Sequence, residues 1–306
     1  MTDASGSEVD TAVDHHRASV NGVTLHYVGS GPLDAPAVML LHGFPQSWLI
    51  WRGVMPALAQ RYRTIAVDLR GYGESDKPPG IEGYDKRTMA ADIHALAEQL
   101  GLRQPLVIGH DRGARIARRY ALDYPDELAG AALLDILPVE WVYDRLSAAE
   151  VAQRYWHWVF HLVPELPERL IAGREEDYLA ALFGRTPGFL DWLHSSGAWD
   201  EYLRAFRQPG AVAAALNDYR ATYAVDVPRY RRERAEGKQV RVPVLLLWGE
   251  RGNLGGRPVL DAWREVASDV RGIELAGCGH YLPEEQPDTV ARHLLAFAGE
   301  RFAAGR

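Results

Sequence analysis

Gly109-His110-Asp111-Arg112-Gly113 follows the short apolar run Pro105-Leu-Val-Ile108 and leads into a segment whose Ile116, Tyr120 and Ala121 recur at helical spacing. The pattern is a strand, a sharp turn and a helix, with glycines flanking the central aspartate. Glycine tolerates the backbone that such a turn demands. A carboxylate held there is suited to displacing a leaving group at an sp³ carbon or to opening an epoxide, forming an alkyl ester, whereas serine suits acyl transfer. The bland alternative is that Asp111 merely ends a strand and caps a helix.

Further out, Ala37–Leu41 runs into His42-Gly43-Phe44-Pro45, and Thr64–Asp68 is followed by Arg70-Gly71-Tyr72-Gly73. Both are short apolar runs stopped by turn residues, as in buried parallel strands. Thr88–Leu100 between them and Pro105 is an amphipathic helix, with Met89, Ile93, Leu96 and Leu100 on one face. Gly130–Asp135 and Pro243–Trp248 are two more apolar runs, separated by a stretch rich in Trp, Tyr, Leu, Arg and Glu. Alternating strands and helices predict an α/β fold with a mostly parallel, doubly wound sheet, whose ligands bind beyond the carboxyl ends of the strands. The expected layout is a loose tail over residues 1–18, a core over 19–138 and 240–306, and a helical cap over 139–239 covering that end of the sheet.

Gly-x-Asp-x-Gly matches the nucleophile elbow of the α/β-hydrolase fold. His42-Gly43-Phe44-Pro45 sits where that fold places oxyanion donors, so the backbone amides of Phe44 and Arg112 are candidates. Gly277-Cys278-Gly279-His280 follows the apolar Ile273–Leu275, which makes His280 the base in the chain order nucleophile, acid, histidine. Many members of this fold carry the acid in Trp-Gly-x-x-Asp, but here Trp248-Gly249-Glu250-Arg251-Gly252 has glycine at that place. Asp135, at the end of the next strand, takes the orienting role, with Glu250 as runner-up. Arg112 and Arg115 are three apart in the first turn of a helix, where cations oppose the dipole, so a substrate carboxylate is the expected partner. A salt bridge to cap carboxylates is the alternative, and Arg118 and Arg119 read as solvated.

At these residues the sequence resembles the fluoroacetate dehalogenases, over nearly the whole chain after Ser19. The matching pieces are His42–Pro45, Asp68–Ser75, Gly109–Arg115, Leu134-Asp-Ile-Leu-Pro138, His157-Trp158, Asp218-Tyr-Arg220 and Gly279–Glu285. The resemblance implies that Asp111 attacks the α-carbon, Arg112 and Arg115 bind the carboxylate, His280 activates water and Asp135 orients it. It also implies a halide pocket of His157, Trp158 and Tyr219, and a homodimer. His161, Val163 and Glu165 depart from the family pattern and bear on the pocket rather than on the nucleophile.

The main rival is an epoxide hydrolase, which shares the nucleophile and base but needs cap tyrosines, Tyr219 with Tyr155 or Tyr143, to protonate the epoxide oxygen. An uncharged epoxide gives Arg112 and Arg115 no use. A haloalkane dehalogenase fits less well, because tryptophan usually follows its nucleophile. A non-catalytic ligand-binding member is the third reading. With 306 residues, 47% hydrophobic and 25% charged, the chain has the composition of a globular protein, and a net charge of -7 without a basic run argues against nucleic acid. One cysteine, Cys278, supports neither a disulfide nor a thiolate metal site. No run is long enough for a membrane helix, and the N-terminus has no signal-peptide pattern. The expectations are therefore a cytoplasmic enzyme, a small haloacid substrate, and no metal or organic cofactor.

Overall fold

The computed structural model describes residues 13–304. Eight strands, β1 (Asp14–Val20), β2 (Val23–Ser30), β3 (Ala37–Leu41), β4 (Arg63–Val67), β5 (Leu106–His110), β6 (Gly130–Leu134), β7 (Val244–Gly249) and β8 (Val270–Leu275), form one sheet in the order β1-β2-β4-β3-β5-β6-β7-β8. From β4 to β8 every pairing is parallel; β1 pairs antiparallel with β2, and β2 with β4. This is the architecture expected of the alternating pattern.

Residues of β3, β5, β6 and β7 are buried throughout, which is why they read as continuous apolar runs. Their side chains nevertheless divide by period two. Met39, Leu41, Val107 and Leu133 join one apolar layer, while Val38, Leu40, Ile108 and Leu134 join the other. Met89, Ile93 and Leu96 from the helix Lys86–Gln99 and Ile116 and Tyr120 from the helix Arg112–Asp123 fill the first layer. Leu294 and Phe297 from the helix Pro287–Ala304 fill the second.

Part of the expected tail is structured, because residues from Asp14 onward form β1. The cause is a hairpin at Asn21-Gly22, both with positive φ (45° and 77°), which pairs Val20 with Val23. Asn-Gly between short apolar flanks is a strong hairpin signal that the expectation of a tail passed over. The first twelve residues of that tail lie outside the described residues.

Between β6 and β7 the chain forms a succession of short helices, from Val139–Arg145 to Val227–Ala235. Phe183, Leu193 and Tyr202 extend the first apolar layer into this insertion. At β3 the strand order reverses direction, with β4 on one side and β5 on the other. The crevice at the carboxyl ends of these strands is where such sheets bind ligands.

Candidate active site

Asp111 sits in the turn between β5 and the helix Arg112–Asp123 with φ 46° and ψ −111°, a conformation that L-residues rarely adopt. The flanking glycines make this possible. A Cβ on Gly113 would meet the backbone of Leu41 and His42, and one on Gly109 would meet the backbone of Gly113 and Ala114. The Phe44 amide donates to Asp111 Oδ1 at 3.1 Å, so the His42–Pro45 turn delivers a donor to the candidate nucleophile. Burial pushes the Asp111 pKa up, but the charges of His280, His110, Arg112 and Arg115 outweigh it and hold the carboxyl below its usual range. Asp111 is therefore ionised, as a nucleophile requires.

His280 Nδ1 lies 2.6 Å from Asp135 Oδ2, and Asp135 Oδ1 accepts from the Gly249 amide at 3.1 Å. Burial opposes protonation of His280, but the hydrogen bond and charge of Asp135, with the charge of Asp111, raise its pKa above the ordinary histidine value. Glu250 turns elsewhere: its Oε2 accepts from the Gly277 amide at 2.7 Å. Of the two candidate acids, the geometry joins Asp135 to the histidine. Glu285, which sequence reasoning did not single out, accepts from the amides on both sides of His280, Gly279 at 2.6 Å and Tyr281 at 2.7 Å.

Asp111, Asp135 and His280 line one cavity of about 40 Å³, together with Arg115, Tyr155, His157, Trp158 and Arg185. The two arginines of the elbow behave differently. Arg112 does not line this cavity: its Nε and Nη2 donate to Asp218 and Thr222 on the insertion, and its guanidinium lies 4.2 Å over the Tyr219 ring. For Arg112 the salt bridge to a cap carboxylate is thus what the structure contains. Arg115 is buried; Nη1 donates to the Leu137 carbonyl at 3.3 Å and Nε has no partner. No carboxylate among the described residues pairs with it, although burial and Arg112 both disfavour its charge.

Arg118 and Arg119 are buried rather than solvated. Glu140 takes Arg118 in two 2.8 Å hydrogen bonds, and Glu233 and Asp123 take Arg119. Both guanidiniums also face the Tyr230 ring, so they join the helix to the insertion.

Of the expected halide residues, His157 and Trp158 line the cavity. Tyr219 lies behind them, its ring 6.0 Å from His157 and 6.4 Å from Trp158, and burial followed by the charge of Asp111 raises its pKa well above normal. His161 packs 4.4 Å from Tyr219, and Tyr143 packs 5.5 Å from Trp158. Burial, then the charge of Arg185, keeps His157 neutral. Arg185 Nη1 lies 3.3 Å from His157 Nδ1. Arginine only donates, so this contact leaves the His157 proton on Nε2. Arg185 stands at the end of a helix beside Gly184 and carries no motif, so nothing in the sequence points to it.

The family profile described as the alpha/beta hydrolase fold matches residues 36–287. The chain belongs to this family. It is 35% identical over 289 residues to the fluoroacetate dehalogenase of a Burkholderia species, covering 92% of each chain. It is also 33% identical over 302 residues to the soluble epoxide hydrolase of Corynebacterium sp. (strain C12), covering 94% of this chain and 98% of the other. The crystal structure of Cfl2 from Burkholderia cenocepacia superposes with a TM-score of 0.82 at 36% identity, covering 92% of this chain and 95% of that one. This α/β hydrolase thus resembles enzymes of two substrate classes, and no helix among its described residues is long and apolar enough to cross a membrane.

Proposed function

We propose that this hydrolase dehalogenates small 2-haloacids, with chloroacetate and fluoroacetate as reference substrates, through an ester on Asp111. The observation that carries this reading is Arg115, a buried cation in the nucleophile's cavity with no carboxylate partner among the described residues. A substrate carboxylate supplies the missing charge and holds the α-carbon against Asp111. The cavity supports the same reading by size. About 40 Å³ is room for roughly three waters, which accommodates a two-carbon acid.

One Asp111 oxygen bonds to the α-carbon as the carbon–halogen bond breaks and its electron pair leaves with the halide. The N–H groups of neutral His157 and Trp158, with Tyr219 behind them, stabilise that departing charge. His280 then takes a proton from water, and the resulting hydroxide attacks the Asp111 carbonyl carbon. The Phe44 amide stabilises the oxyanion, with the Arg112 amide as the second candidate donor. Collapse releases glycolate, whose alkoxide takes one proton of the water back from His280. The second proton leaves the Asp111 carboxyl for solvent, so Asp111 returns as a carboxylate carrying one oxygen from water and the net products are glycolate, halide and one proton. In this scheme Arg112 acts through its charge, and Arg115 carries the carboxylate.

Epoxide hydrolysis is the second reading. Tyr155 and His157 line the cavity as donors for an epoxide oxygen, and the Corynebacterium relative is an epoxide hydrolase. Ion chromatography of purified protein given each haloacetate, with Asp111→Asn as control, decides between them. Halide and glycolate in equal amounts, lost in the variant, are expected. Diol from an epoxide with no halide from either acid would replace the proposal, and neither product would leave a ligand-binding member of the fold.

A further inference from the structure

An open depression of about 260 Å³ adjoins the catalytic cavity and shares Arg185, Asn253 and His280 with it. Arg154 and Arg251, both exposed, also line it. None of these three arginines forms a salt bridge within the described residues. Arg185 donates only to neutral groups, the carbonyls of Leu182 and Arg154 and the ring of His157. Two carboxylates of the adjoining segments are already engaged, Glu150 by Arg257 and Glu250 by the Gly277 amide. Three guanidiniums without carboxylates at the mouth of an active site are unexpected in a chain of net charge -7. They place three positive charges beside the cavity of this acidic chain, which favours the approach of an anion there.

We propose that Arg154, Arg185 and Arg251 form a vestibule that captures small carboxylate anions and passes them to Arg115 beside Asp111. Arg185 is the hinge of this route, because it alone of the three also lines the inner cavity. The identity of the anion as a haloacid rests on the hydrolysis proposed above; the existence of the anion site does not.

The test measures binding rather than turnover. Equilibrium dialysis of labelled chloroacetate and of uncharged chloroacetamide against Asp111→Asn protein compares the arginine set with Arg154→Gln/Arg251→Gln in the same background. The double variant is expected to bind chloroacetate about tenfold more weakly, with chloroacetamide unchanged. Arg154→Lys/Arg251→Lys should restore most of the loss, because charge rather than shape is at work. Unchanged chloroacetate binding, or an equal loss for both ligands, overturns the vestibule. If the wild-type chain releases no halide while dialysis behaves as expected, the hydrolysis reading fails and the anion site stands. Halide release with no loss in dialysis removes the vestibule alone.

Discussion

The floor and the roof of this active site are built differently. Asp111, Asp135 and His280 stand in turns that follow β5, β6 and β8, and strands of a sheet lie at a spacing of about 4.8 Å. The sheet brings these three turns to one end, and Glu285 and Glu250 hold the turn that carries His280. Tyr155, His157, Trp158 and Arg185 come from short helices of the insertion, placed by aromatic packing and by buried ion pairs such as Arg112–Asp218. On the proposed reading, the floor supplies the chemistry and the roof selects the molecule that receives it.

The largest expected effect lies in the floor. Asp111→Asn should lower turnover by on the order of 10⁴-fold or more, since the ester cannot form. His280→Gln separates the two half-reactions: the first displacement continues and hydrolysis stops. Intact-protein mass spectrometry after chloroacetate should then show one carboxymethyl group per chain. An adduct carrying the full mass of an epoxide would instead assign the roof to the other substrate class.

Asp135→Asn comes next, with a loss of up to about 10⁴-fold, as when the orienting acid of a triad is removed. The pH profile gives the sharper reading. His280 works as a base only when neutral, and its pKa lies above the ordinary histidine value because the hydrogen bond and charge of Asp135 overcome burial. Removing that charge lowers the pKa, so the acid limb of kcat against pH should move to lower pH. A limb that stays in place, or moves up, would mean that another group sets it.

A roof prediction follows at smaller size. Asp218 on the insertion pairs with Arg112 and Lys86 of the core and accepts from the Tyr72 hydroxyl at 2.8 Å. Burial raises its pKa, but the two cations outweigh this and keep it ionised. Asp218→Ala leaves two buried cations without their shared carboxylate and should cost about 3–5 kcal/mol in urea unfolding. A cost under about 1 kcal/mol would show that this ion pair contributes little to holding roof to floor, leaving the Arg118–Glu140 and Arg119–Glu233 pairs and apolar packing to do so.

The same division explains what the sequence revealed. The strands, the elbow and the order nucleophile, acid, histidine were legible because each depends on local spacing: two for a strand, a glycine pair for a tight turn. Asn21-Gly22 was equally legible and was missed because the polar, exposed β1 carries little apolar signal. Arg112 and Arg115 looked equivalent at three-residue spacing, yet one meets Asp218 and the other a cavity. That outcome depends on a residue more than a hundred positions away. Arg118 and Arg119 failed for the same reason, since Glu140, Glu233 and Tyr230 become their partners only on folding. Arg185 had no local signal at all.

The smallest expected effect tests the floor by its control. Glu250 was the other candidate acid, and it sits on the turn after β7 where this fold commonly carries one. Its carboxylate accepts from the Gly277 amide at 2.7 Å, at a position whose φ of 69° begins the turn leading to His280. Glu250→Gln keeps an oxygen there and weakens a charge-assisted bond to a neutral one, worth about 1 kcal/mol of stability or less. The His280 pKa should not move, because Asp135 supplies the hydrogen bond. Both kcat and the position of its acid limb should therefore stay within error, measured beside Asp135→Asn on the same substrate. If the glutamine variant instead shifts the limb as the asparagine variant does, the histidine draws on both carboxylates, and the floor is less strictly set by the sheet than its geometry implies.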